Sequence, residues 1–184
     1  LGYAGVTFLH QPDGALANDL ALREQLVREI RTFRPAAVLA TDPETIFYRD
    51  GGINHTDHRA AGLAAVDAVY PAARNPMAFP SLARSGLAAH DVRRLYLFWS
   101  DKPNAWVDIS GALHRKIEAL GAQPARGDGD IVEQTESHRA IAFGMMPRRA
   151  HRDEGVVYGA VEYRFTRGDR AARGEERGVP GRFH

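Results

Sequence analysis

"AAVLATDP", residues 36–43, decides the fold. Five apolar residues and a threonine run unbroken from Ala36 to Thr41 and stop at Asp42-Pro43. A run this short and continuous fits a strand covered on both faces, as in a parallel sheet. Upstream, Leu22, Leu26 and Ile30 fall at i, i+4 spacing with Val27 and Phe33 beside them. That is the apolar stripe of a helix. Asn18 or Asp19 is placed to cap its start, Glu24 and Arg28 to pair on its wet side, and Pro35 to close it. Before it, "GVTFL" (5–9) reads as a buried strand and "QPDG" (11–14) as a turn. Strand, helix, strand with short connections is a βαβ unit. The expected class is α/β: a parallel sheet with helices on both faces.

Working downstream, a loop runs from Asp42 to about Asn54 and an Ala-rich helix covers 56–70. A Pro-interrupted connection with one short helical turn spans 75–87, and "VRRLYLFW" (92–99) is a third strand. Asp108 or Ser110 caps a further helix with Ile109, Leu113, Ile117 and Leu120 as its stripe, broken by "ARGDGD" at 125–130. Residues 131–143 read as helix and "VVYGAVEYRF" (156–165) as a last strand. Residues 167–184 hold almost no large apolar side chain and read as a disordered tail behind one domain, 1–166. The chain opens at Leu1 and enters "GVTFLH" almost at once, so the sheet is expected to lack a first strand that lies upstream.

Composition narrows the chemistry. Across 184 residues there is no cysteine, which removes thiolate metal sites, cysteine nucleophiles and disulfide scaffolds. Its absence also fits a cytoplasmic location. With 24 basic against 23 acidic residues the net charge is +1, too balanced to argue for nucleic acid or a membrane surface. No apolar run is long enough to insert into a bilayer.

Ligands in open α/β sheets sit beyond the carboxyl ends of the strands. Three polar clusters fall there. Asp13 follows "GVTFL", Asp42 follows "AAVLAT", and "INHTDHRAAG" (53–62) places His55, Asp57 and His58 at the end of the loop that Asp42 begins. Simpler readings stand beside this one. Asn54 or Thr56 could merely cap a helix whose dipole favours Asp57. Asp13 and Asp42 could be turn residues. The remaining histidines have no pattern around them, and Trp99 and Trp106 read as core or rim aromatics sooner than as a substrate platform.

The order "GVTFLHQPDGAL", "FRPAAVLATDPE", "INHTDHRAAG", "LYLFW", "RKIEAL" resembles the LmbE/PIG-L family of zinc-dependent N-acetylglucosaminyl deacetylases over roughly residues 1–120. The resemblance implies a Rossmann-like fold and metal-dependent hydrolysis of an N-acetyl amide on a GlcNAc-like sugar conjugate. It implies His58 as a metal ligand, the last His of an H-P-D-H motif. It implies His55 as the residue that stabilises the oxyanion or protonates the leaving amine, and Asp57 as an orienting partner. Asp42 and Asp13 are expected to line the substrate pocket. Thr56 replaces the motif's proline, and Gln123 stands where many members have histidine. The family's A-H-P-D-D-E segment, with two metal ligands and the general base, is not in the chain.

Zn²⁺ or Fe²⁺ is therefore expected in a complete form, with none retained by this chain alone. The truncated form is expected to be inactive. Its partner is a small-molecule N-acetyl amino-sugar conjugate. A sheet open at its middle would favour self-association into a homo-oligomer. The alternative is a non-catalytic α/β domain that keeps a sugar pocket.

Overall fold

The computed structural model describes residues 3–48, 51–121 and 157–165. In chain order the elements are helix α1 (Leu20–Phe33), strand β1 (Ala37–Thr41), helix α2 (Thr56–Asp67), short helix α3 (Pro80–Arg84), strand β2 (Arg94–Phe98), strand β3 (Ala105–Asp108), helix α4 (Leu113–Gly121) and strand β4 (Val157–Arg164). The expected helix at 131–143 and the tail at 167–184 lie outside the described residues.

α1 forms where its sequence signals place it. The Asp19 carboxylate accepts the Leu22 N–H at 2.8 Å, and Arg34 ends the helix in a left-handed conformation (φ 54°) just before Pro35. Leu22, Val27 and Ile30 are buried, whereas Phe33 is 76% exposed. The Ala-rich helix breaks at its expected end. Tyr70 leaves helical geometry (φ −142°, ψ 123°), because the residue before a proline is driven out of the α region.

The sheet order is β1-β2-β4-β3. β1 and β2 are parallel, with Val38 opposite Leu95 and Thr41 opposite Phe98, as a helical crossover requires. β4 runs antiparallel to both β2 and β3. The class is thus α/β, but the sheet is mixed rather than parallel throughout. Apolar patterning reports burial and carries no information about strand direction. Ala160 faces both Phe98 and Ala105, so β3 and the start of β4 stand beyond the carboxyl end of β2.

Val38, Ala40, Leu95 and Leu97 pack with Val27 and Ile30 of α1 and with Ala68 and Val69 after α2. Leu39, on the opposite face of β1, is 69% exposed. Among the described residues, α1 and α2 therefore cover one face of the sheet, not both. The expected strand at 5–9 does not form. Val6 and Phe8 are 70% and 74% exposed, and Thr7 and Gln11 instead hydrogen-bond Glu29 and Gln25 on the outside of α1. A strand exists only through a ladder partner, and among the described residues none lies beside this segment.

Two close fits lock the helices down. Arg31 is 2% exposed and donates to the carbonyls of Ala72, Ala73, Asn75 and Ala78 at 2.9–3.3 Å. Burial lowers its pKa from the usual guanidinium value. Gly62 of α2 lies directly on the end of β1, where an added Cβ would overlap the Thr41 carbonyl oxygen. Overpacking of this kind costs about 1–3 kcal/mol. Gly62→Ala is therefore expected to lower stability by that amount in denaturant melts. An unchanged midpoint would show that α2 can move off β1 freely.

Candidate functional site

Because β1 and β2 are parallel, their carboxyl ends meet at one rim. The Asp42 N–H continues the ladder to the Phe98 carbonyl at 2.8 Å. α2 starts at the same rim, and the Thr41 hydroxyl donates to the His58 carbonyl.

The α2 start is built from the motif itself. His55 is the N-cap, with extended backbone (φ −56°, ψ 143°), and its Nδ1 accepts the Asp57 N–H at 3.2 Å. An imidazole nitrogen that accepts must carry the lone pair, so while this bond is made Nε2 is the ring nitrogen free to donate. His55 thus presents a donor at its outer nitrogen. The His58 ring lies 5.7 Å from that of His55, centroid to centroid, and 5.1 Å from that of Trp99. Both histidines are exposed.

Asp57 does not face either imidazole with its carboxylate. Oδ2 accepts the Gly14 N–H at 2.6 Å and Oδ1 the Leu16 N–H at 3.1 Å. It fastens the turn that carries Asp13 onto the start of α2, and its own N–H orients His55. Asp13 sits exposed in that turn, beside Gly14 at φ 76°.

Asp42 is 5% exposed and is occupied within its loop. Its carboxylate accepts the Glu44 N–H at 2.9 Å and the Thr45 hydroxyl at 3.3 Å. Asn54, 1% exposed, donates to the Thr45 carbonyl at 2.8 Å and the Asp42 carbonyl at 3.4 Å, closing the loop that delivers His55. The sequence placed Asp42 as a pocket residue; the structure gives it a loop-organising role that the turn chemistry of Asp-Pro also signalled.

Elsewhere, His90 donates from Nε2 to the Pro35 carbonyl at 2.7 Å, a packing role. A cavity of about 720 Å³ lies between α2 and the sheet, lined by Leu63, Val66, Tyr70, Leu95, Leu97 and Phe165. Thr56 and Arg59 also line it, but His55, Asp57 and His58 do not. Thr41 and Gly62 are site-building residues that pattern reading passed over, while Trp99, read as a core or rim aromatic, stands at the rim beside His58. The signal for Trp99 was its place directly after a strand end.

The fold is that of an α/β protein similar to the deacetylase fold. Residues 1–69 match the family model described as PIG-L: GlcNAc-PI de-N-acetylase. Over 164 residues the chain is 30% identical to the diacetylchitobiose deacetylase of Thermococcus kodakarensis, covering 86% of this chain and 58% of that one. The N,N'-diacetylchitobiose deacetylase from Pyrococcus horikoshii, solved with its inhibitor MPG, superposes with a TM-score of 0.71 at 25% identity, over 85% of this chain and 56% of that one. A conserved protein from Thermus thermophilus shares the fold, with a TM-score of 0.61 at 24% identity over 83% of this chain and 63% of its own. The chain spans a little over half the length of the two deacetylases.

The two bonds to Asp57 yield a direct expectation. In Asp57→Ala the Gly14 and Leu16 amides lose a charged acceptor, a bond of about 1.5–3 kcal/mol. Their hydrogen exchange should accelerate by about tenfold or more, while the Leu95 and Leu97 amides stay protected. Equal exchange at Gly14 in both proteins would show that the turn is held by something else.

Proposed function

We propose that this chain takes part in hydrolysis of an N-acetyl amide on a GlcNAc-like sugar conjugate. The observation that carries the reading is the start of α2, where one backbone bond fixes His55 as an Nε2–H donor beside His58 at the carboxyl rim. The activity of the diacetylchitobiose deacetylases it resembles supports it.

Attack of water on the acetyl carbonyl breaks its π bond and leaves negative charge on oxygen, with a proton lost from the water. Collapse re-forms the carbonyl and breaks the C–N bond as the nitrogen takes up a proton, which releases acetate and the free amine. A fixed donor aimed at the oxyanion lowers the barrier because it needs no reorganisation as charge develops. The Nε2–H of His55 suits that role. Asp57 acts at two points: its backbone N–H sets the His55 ring, and its carboxylate holds the Asp13 turn at the rim.

Among the described residues, no group of three or more His, Asp or Glu side chains could hold a metal ion. The carboxylates of Asp57 and Asp42 are committed to Gly14, Leu16, Glu44 and Thr45. These residues alone do not fit a zinc or iron site, and no step is drawn through one. His58 is the residue we assign to such an ion, with further donors from outside the described residues. A cytoplasmic location and self-association through the open edge of β1 go with this reading. Among the described residues no helix is long and apolar enough to cross a membrane. The lack of a three-donor set also favours a second reading, a sugar-binding domain without turnover.

Acetate release from N,N'-diacetylchitobiose, assayed with added Zn²⁺ or Fe²⁺, separates the two. Turnover that falls about 10²- to 10³-fold in His55→Ala supports hydrolysis with His55 as the donor. Sugar binding by calorimetry with no acetate release supports the binding domain. Binding of neither kind overturns both. Metal analysis after dialysis against a chelator is expected to find no zinc or iron, and a stoichiometric ion retained there would overturn the donor count.

A further inference from the structure

We propose that Trp99 is the stacking platform for the sugar ring, held in place by a strained backbone; this deepens the sugar reading above and rests on it. Trp99 directly follows β2 and has φ 61°, in the left-handed region. For a bulky side chain this geometry is an outlier that costs about 1–3 kcal/mol.

Three other residues share a positive φ, at a helix end or in the irregular segments that precede helices. Arg34 ends α1, where a left-handed residue closes the helix, and Phe79 lies in the turn that enters α3. His10 lies in the irregular segment before α1. Trp99 bounds no helix. What its conformation achieves is placement of the indole at the rim. The ring is 5.1 Å from that of His58, tilted by 44°, and Phe98 supports it edge-on at 5.4 Å and 84°. It remains half-buried, neither sealed in the core nor free in solvent.

An indole so placed suits a pyranose. The apolar face of a sugar ring carries C–H groups with slight positive charge, which pack on the negative face of an aromatic ring. The hydroxyls and the N-acetyl group then lie at the ring edges. A platform beside His58, with His55 next along the rim, holds the ring while its edge amide meets the His55 donor. Core packing alone gives no reason to hold a tryptophan in a left-handed backbone, since a glycine or asparagine would reverse the chain at lower cost.

The chain has two tryptophans, so Trp106→Phe leaves Trp99 as the sole indole emitter. In that variant, N,N'-diacetylchitobiose is expected to change the emission saturably, with the same midpoint that calorimetry gives for binding. Trp99→Gly is expected to weaken binding by about tenfold or more. Its melting temperature should hold or rise, because glycine relieves the strain. Trp99→Phe, which keeps an aromatic face, should recover part of the affinity. Calorimetric binding with an unresponsive Trp99 overturns the platform and leaves the sugar reading standing. Binding of neither N-acetylglucosamine nor diacetylchitobiose overturns both. A melting temperature that falls in Trp99→Gly as far as in a Leu95→Ala core truncation would make Trp99 a packing residue and overturn the proposal.

Discussion

The contact of Gly62 with the Thr41 carbonyl sets the distance between α2 and the sheet, and the rim is built on it. Only a residue without a side chain allows the helix to reach the strand end. Once there, the Thr41 hydroxyl ties the first turn of α2 through the His58 carbonyl. The His pair therefore sits at a fixed height above β1. Move the helix outward by one methyl group, and His55, His58 and the Asp57 fastening move together.

Sequence reading found the parts governed by local rules. The α1 cap at Asp19, the stop at Arg34-Pro35, β1 and β2 all follow from periodicity, capping chemistry and proline sterics. It missed what depends on neighbours. The segment 5–9 has the composition of a strand, but composition cannot provide a partner ladder. The direction of β4 is equally invisible, because alternation is the same in either direction. At the site, the grouping of His55, Asp57 and His58 was legible from spacing and order. The Asp57 bonds to Gly14 and Leu16 span more than 40 residues and were not. Asp42 illustrates how one feature serves two readings: a carboxylate at a strand end suits a pocket, and Asp-Pro suits a turn.

The rim and the apolar cavity share α2 but divide its surface. The first turn carries His55 and His58 at the rim, while Thr56, Arg59, Leu63 and Val66 line the cavity. His55 joins the two tasks, since the bond that satisfies an orphan N–H at the helix start also decides which ring nitrogen holds the proton. Helix capping and the choice of tautomer are here the same hydrogen bond.

Arg31 gives the fold an unusual relation to salt. Exposed pairs such as Arg28–Glu24 weaken as ionic strength rises, because mobile ions screen them. The Arg31 guanidinium is held by four carbonyl dipoles in a buried position that mobile ions do not reach. The charge that joins α1 to the segment after α2 is thus insulated from the medium. The joint between α1 and the segment after α2 therefore rests on an attraction that brine and dilute buffer leave alike.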